Sequence, residues 1–95
     1  LLAVSVVSLW EIALLHDEGR IRLTAGFAAW TEALAAMPGV RIEQLTRGDV
    51  DTARSLRDLV DPHDRLIAGT ALRVGFPLLS ADERLRRHPR IATLW

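Results

Sequence analysis

The order of hydrophobic and polar positions along the chain predicts short strands that alternate with helices. Leu1 to Val4 is continuously apolar and precedes Ser5, which is typical of a buried strand. Val40 to Leu45 alternates apolar and polar residues, the period of a half-buried strand. Two further short apolar segments, Pro77 to Leu79 and Ile91 to Trp95, are predicted as strands of the same kind.

The segments between these strands carry the residues that commonly begin and end helices, namely serine, threonine or aspartate at the start and glycine or proline at the end. The expected helices run from Ser5 or Ser8 through about His16 to a stop at Gly19, from Thr24 to Pro38-Gly39, after a capping box at Thr46–Asp49, from Asp61-Pro62 to Gly75, and from Ser80 to a break at Pro89. We expect the third of these to carry Val50, Ala53 and Leu56 inward.

Strands that alternate with helices indicate an α/β fold with a mostly parallel sheet covered on both faces, and residues 1–95 are expected to form a single domain. Ligands of such sheets bind beyond the carboxyl ends of the strands. Asp82 follows the predicted strand at Leu79 closely, so its carboxylate is expected near that edge.

Composition narrows the class of protein. The 95 residues are 49% hydrophobic and 25% charged, which is typical of a folded domain, and there is no cysteine to form disulfides. Since there is neither an apolar run of about 20 residues nor the basic region of a signal peptide, we expect a cytoplasmic protein without membrane association.

Charge gives only a partial indication of partners. Twelve basic residues, all of them arginine, balance twelve acidic ones. Four of the arginines lie beside His88 near the C-terminus: Arg84, Arg86, Arg87 and Arg90. Arginine suits phosphate recognition, but such a cluster is equally typical of a solvated helix face.

Glu11 is the most informative candidate residue. It interrupts an apolar run, and its neighbours at helical spacing are Val7, Ser8, Leu14 and Leu15. A carboxylate on that side would lose hydration at a cost of several kcal/mol unless something compensates it. A metal ion or a buried arginine would do so; alternatively, the side chain reaches water at the edge of the apolar face.

Asp64 and Asp82 have simpler explanations when each is taken alone. Both fall in the first turn of a predicted helix, where the helix dipole favours a carboxylate by about 0.3 to 1 kcal/mol. Together with Glu11 they form a set of hard oxygen ligands of the kind that Mg²⁺ prefers, contributed by separate elements. Such a set would serve metal-assisted hydrolysis of a phosphodiester.

The remaining aromatic and imidazole side chains suggest no second site. His16, His63 and His88 share no metal-ligand spacing and are interpreted as surface or capping residues, with His63 a weak candidate for substrate contact. Trp10 and Trp30 are expected in the core.

Three segments with candidate acids follow one another in the chain: Ser8–Ala13 (SLWEIA), Asp61–Ala68 (DPHDRLIA) and Pro77–Leu85 (PLLSADERL). In this order they resemble the signature of PIN-domain proteins, and above all of the VapC-type ribonuclease toxins of toxin–antitoxin pairs. The resemblance extends from Ser5 to Trp95. It implies a small three-layer α/β/α domain in which Glu11, Asp64 and Asp82 are catalytic metal ligands, with Ser80 as a nearby hydroxyl and Asp61 as an accessory acid or simply a cap.

The same resemblance implies an Mg²⁺- or Mn²⁺-dependent endoribonuclease in which a metal-bound water attacks the phosphodiester. Its implied partners are an RNA substrate, a cognate antitoxin and a second copy of the chain. The family has one further aspartate, at the end of a central first strand, which nothing here matches. A fragment of a longer product is the favoured explanation, beside a damaged copy or a strand supplied by a partner chain. The alternative function is therefore a non-catalytic PIN fragment that keeps only antitoxin- or dimer-binding surfaces.

Overall fold

A computed structural model describes residues 1–75, 77–79, 85, 87–91 and 93–94. Within that part of the chain, strands and helices follow one another largely as the hydrophobic pattern predicts. In chain order they are β1 (Leu2–Ser5), α1 (Val6–Asp17), α2 (Phe27–Ala36), β2 (Val40–Glu43), α3 (Arg47–Ser55), α4 (Pro62–Val74), β3 (Leu78–Leu79) and β4 (Thr93–Leu94).

The four strands form one parallel sheet in the order β2-β1-β3-β4. β1 pairs with β2 along its whole length, from Leu2 opposite Val40 to Ser5 opposite Glu43. On its other side β1 pairs directly with β3, where the Ala3 amide donates to the Pro77 carbonyl at 2.9 Å. The chain moves to one side of β1 and then back past it, the doubly wound pattern that places helices on both faces of a parallel sheet. The predicted α/β fold is confirmed.

Three of the four described helices begin at the predicted caps. Ser5 accepts a hydrogen bond from the Val7 amide at 3.1 Å at the start of α1. Thr46 and Asp49 form the predicted capping box of α3, with reciprocal hydrogen bonds of 3.1 and 3.0 Å. Asp61 caps α4, which ends at Gly75 in the left-handed conformation (φ 71°). Each cap satisfies amides that a helix leaves unpaired in its first turn.

The predicted start of α2 at Thr24 is wrong, since the helix begins at Phe27. Gly26 precedes it with a φ of 89°, a conformation that no helix residue adopts, and the Gly26 amide donates to the Leu23 carbonyl at 2.9 Å. A turn therefore precedes the helix. Thr24 lies inside this turn, three residues before the first residue of α2.

The main core lies where α3, α4, the loop between them and the C-terminal segment meet. Its members, each at most 6% exposed, are Leu56, Leu59, Ile67, Ala68, Ala71, Leu85 and Ile91. Gly69 allows the two helices to approach closely, because a Cβ added there would lie 2.7 Å from the Asp49 carbonyl oxygen. The packing of α3 on α4 therefore depends on a residue without a side chain at that point.

Two core assignments made from the sequence are wrong. Val50 is 43% exposed. The buried residues of this segment are Asp49 and Ala53 on α3 and Leu56 directly after it; they are spaced by three to four residues, so Val50 lies outside the inward face. Trp10 is 55% exposed, and α1 contains no fully buried residue at all. A helix that is apolar on nearly every side is normally covered on more than one face. Among the described residues, no helix has the length and apolarity that crossing a bilayer requires.

Candidate metal centre

Helices α1 and α4 bring two of the three predicted acids to the same region of the fold. α1 follows β1 at the carboxyl end of that strand, and α4 runs back to enter β3, so the first turns of both helices lie toward the carboxyl edge of the sheet. The two helices contact each other, and both contact β1. This is the edge at which parallel sheets bind ligands.

Asp64 is a buried carboxylate at the start of α4, with only 3% of the residue exposed. The Asp61 carboxylate holds that first turn, since one of its oxygens accepts hydrogen bonds from the His63 amide at 2.8 Å and the Asp64 amide at 3.2 Å. Asp61 therefore uses this oxygen to cap the helix. Of the two acids in that turn, Asp64 is the one buried as deeply as a site residue is expected to be. The helix dipole favours negative charge there.

Glu11 is half-buried, less deeply than the apolar run around it predicts. It is the sixth residue of α1, about 8 Å along the axis from the first residue, and its neighbour Leu14 is 36% exposed. Glu11 and Asp64 each make at least one further interaction within the protein. Glu11 is therefore not desolvated as completely as the sequence suggested, and it lies on a helix that contacts α4.

The third predicted ligand, Asp82, lies outside the described residues, as does Ser80. Within the ranges that the structure describes, no three histidine, aspartate or glutamate side chains cluster closely enough to hold a metal. Glu11 and Asp64 nonetheless fit a hard divalent cation by their chemistry, because Mg²⁺ in phosphate-processing sites commonly takes one or two carboxylates and fills its other positions with water and substrate.

An ion-paired cluster around the buried Asp49, which the sequence did not predict, joins α3 and α4, and its Arg73 also lies 3.7 Å from Glu43 of β2. Asp49 is 1% exposed, and its carboxylate receives hydrogen bonds from Arg73 Nε at 2.8 Å and Nη2 at 3.3 Å. Thr70 Oγ1 lies 3.1 Å from the same carboxylate, and Arg73 also donates to the Gln44 carbonyl at 3.1 Å. The capping box was recognisable because it is local; Arg73, 24 residues away, carries no such signal.

This cluster keeps Asp49 ionised. Burial raises the pKa of the Asp49 carboxyl, but the hydrogen bonds from Arg73, the Thr46 amide and Thr70 outweigh that effect and lower the pKa below 3.8, its usual value. A carboxyl whose pKa is lower in the folded state stabilises the fold above its unfolded pKa, and this contribution is lost as the pH falls through the folded pKa. We therefore regard Asp49 as a structural acid, distinct from Glu11 and Asp64.

His88 is buried, so its interpretation as a surface residue is wrong, although its Nδ1 does accept a hydrogen bond from the nearby Arg90 amide at 3.3 Å. Its side chain is 4% exposed, and its Nε2 lies 2.7 Å from an Asp58 carboxylate oxygen in the loop between α3 and α4. His63, by contrast, is exposed, with its ring 3.9 Å from the Asp61 carboxylate. Of the C-terminal arginines, Arg87 and Arg90 are exposed, and Arg84 and Arg86 lie outside the described residues.

Comparison with known proteins identifies the family of the chain. A family model described as "PIN domain" matches residues 1–91. The chain is 40% identical to "Ribonuclease VapC22" of Mycobacterium tuberculosis (strain ATCC 25618 / H37Rv) over 98 aligned positions, which cover 99% of this chain and 74% of that protein. No solved structure matches the chain significantly. The chain therefore belongs to the PIN-domain family and, within it, is of the VapC type.

Proposed function

We propose that this protein is a divalent-metal-dependent endoribonuclease, the toxin of a type II toxin–antitoxin system, with Glu11, Asp64 and Asp82 as its catalytic metal ligands. The observation that carries the proposal is the position of Asp64, a carboxylate 3% exposed in the first turn of α4 at the ligand-binding edge of the sheet. The 40% identity to a protein named as a ribonuclease supports the substrate class.

In this proposal the protein supplies oxygen ligands and position. Glu11 approaches from α1 and Asp64 from α4, two helices that contact each other on β1, and Asp82 supplies a third carboxylate from the segment after β3. Mg²⁺ or Mn²⁺ supplies Lewis acidity, which activates water and stabilises charge on the phosphate. Holding Glu11 and Asp64 on regular helices limits the movement of these two acids relative to the phosphodiester.

The proposed partners are RNA, a cognate antitoxin and a second copy of the chain, and the proposed compartment is the cytoplasm. The exposed apolar side chains of α1 support a protein partner, since Trp10 is 55% and Leu14 36% exposed on a helix with no fully buried residue. Contiguous apolar surface of this kind is typical of protein-binding sites.

Calorimetric titration with Mn²⁺ tests the metal site without depending on the RNA target. The wild-type chain is expected to bind Mn²⁺, and Glu11→Gln is expected to bind it at least about 100-fold more weakly. Loss of a residue that only hydrogen-bonds a metal ligand costs about 10- to 100-fold in affinity, and loss of the ligand itself should cost more. Glu18→Gln, an exposed acid just beyond α1, is the matched control and should bind as wild type. A folded wild-type chain that binds neither Mn²⁺ nor Mg²⁺ would contradict the proposal and favour a non-catalytic PIN fragment that retains protein-binding surfaces.

A further inference from the structure

The loop between α3 and α4 carries an interaction that the predicted site does not explain. Asp58 in that loop is exposed (62% of its side chain), yet it contacts His88, whose side chain is 4% exposed, at 2.7 Å. The two residues are 30 positions apart in the sequence and join the C-terminal segment to the loop that leads into α4.

Both nitrogens of the His88 ring are engaged. The Arg90 amide donates to Nδ1 at 3.3 Å, so Nδ1 is an acceptor and Nε2 carries the hydrogen that is donated to Asp58. The His88 amide in turn donates to the Leu85 carbonyl, and the Ile91 amide donates to the His88 carbonyl. The ring is therefore fixed in one tautomer and one orientation on a segment that Leu85 and Ile91 anchor in the core.

The loop on the other side of this contact is held at several points. Leu56 and Leu59 are each 3% exposed, and the Leu59 carbonyl accepts a hydrogen bond from Arg65 Nε of α4. Apolar burial sets how deep the loop lies but is not directional. The Asp58–His88 hydrogen bond is directional, so it fixes the orientation of the loop three residues before the cap at Asp61. The Asp61 carboxylate in turn orders the helical turn that contains Asp64.

We propose that His88 and Asp58 form a positioning pair for the metal site: they fix the loop before α4 and, through the Asp61 cap, the orientation of the Asp64 carboxylate. This inference rests on the proposed function, because it assigns the pair a role through a metal ligand. Outer partners that orient ligands commonly contribute 10- to 100-fold to metal affinity. Neither His88 nor Asp58 is placed among the ligands themselves.

The test compares Mn²⁺ affinity among Asp58 variants of the full 95-residue chain at a temperature where circular dichroism shows each of them folded. Asp58→Ala removes the acceptor and is expected to weaken Mn²⁺ binding by about 10-fold or more. Asp58→Asn keeps an oxygen that accepts from His88 Nε2 and should bind within about threefold of wild type. Asp51→Ala, an exposed acid on α3, is the matched control and should leave the affinity unchanged.

The outcomes separate this inference from the proposed function. If folded Asp58→Ala binds Mn²⁺ with wild-type affinity, the positioning pair alone is overturned. The pair is also overturned if Asp58→Asn and Asp58→Ala weaken Mn²⁺ binding equally, because the hydrogen bond to His88 would then have no effect on affinity. A wild-type chain that binds no Mn²⁺ would overturn the proposed function and the pair with it. Nitrogen-15 NMR of the wild-type His88 ring provides a measurement that needs no variant: protonated Nε2 with bare Nδ1 is expected, and the opposite tautomer would contradict the inference.

Discussion

Asp64→Asn is expected to reduce metal-dependent RNA cleavage by more than about 100-fold while the domain remains folded. The substitution removes a charged oxygen ligand, and the loss should exceed the 10- to 100-fold effect of losing a partner of a ligand. Its cost to stability should be small, because a carboxylate in the first helical turn contributes about 0.3 to 1 kcal/mol through the helix dipole. Cleavage rates at saturating Mn²⁺, together with a thermal unfolding curve, measure both effects.

Asp61→Asn is the matched control for that experiment, since it alters an acid in the same turn. Asparagine is as good an N-cap as aspartate, so the hydrogen bonds to the His63 and Asp64 amides should persist. We expect nearly wild-type cleavage. Equal loss of activity in the two variants would assign Asp61 to the site as well, and equal retention would remove Asp64 from it.

Arg73→Met is expected to destabilise the fold by about 3 kcal/mol. It leaves the Asp49 carboxylate, 1% exposed, without its charged partner, and removing one member of a buried ion pair costs about 3–5 kcal/mol. We place the effect at the low end because the Arg73 side chain is 37% exposed and Asp49 keeps its hydrogen bonds from Thr46 and Thr70. Urea unfolding at neutral pH gives the free energy directly.

Asp49→Asn distinguishes the ion pair from the capping box. Its side-chain oxygen still accepts from the Thr46 amide, and the half-exposed Arg73 can turn to water, so a smaller loss of about 1–2 kcal/mol is expected. The free energy of unfolding of this variant should also fall less steeply than that of the wild type as the pH drops below about 4, because the carboxyl with the lowered pKa has been removed. A larger loss in Asp49→Asn than in Arg73→Met would contradict this account of the cluster.

The sequence predicted the fold well where the determinants are local. The caps at Ser5, Thr46 and Asp61 and the stop at Gly75 are each set by residues within a few positions, and all four are confirmed. Three strands followed from short apolar segments and β2 from the alternation of apolar and polar residues. Their parallel arrangement followed from the helices between them. Thr24 failed because a glycine two residues later, at a positive φ, interrupts the chain before the helix begins.

What the sequence could not provide is pairing between distant residues. Arg73 reaches Asp49 and His88 reaches Asp58 across 24 and 30 positions, and neither pair has a periodic pattern that would reveal it. The prediction that Trp10 of α1 lies in the core was wrong for a related reason. An apolar helix indicates that other parts of a protein pack on it, but its sequence does not identify those parts. For the site, the three ordered segments around Glu11, Asp64 and Asp82 carried the resemblance to the family, and the role of these acids as metal ligands is still a prediction.

Metal-dependent nuclease activity is tested most directly by cleavage of total bacterial RNA by the purified wild-type chain, with Mn²⁺ or with excess chelator. We expect discrete fragments with Mn²⁺, without cyclic phosphate ends because water is the nucleophile, and intact RNA when the metal is removed. RNA that stays intact in the presence of Mn²⁺, or cleavage that persists in the chelator and in Asp64→Asn, would contradict the proposed function.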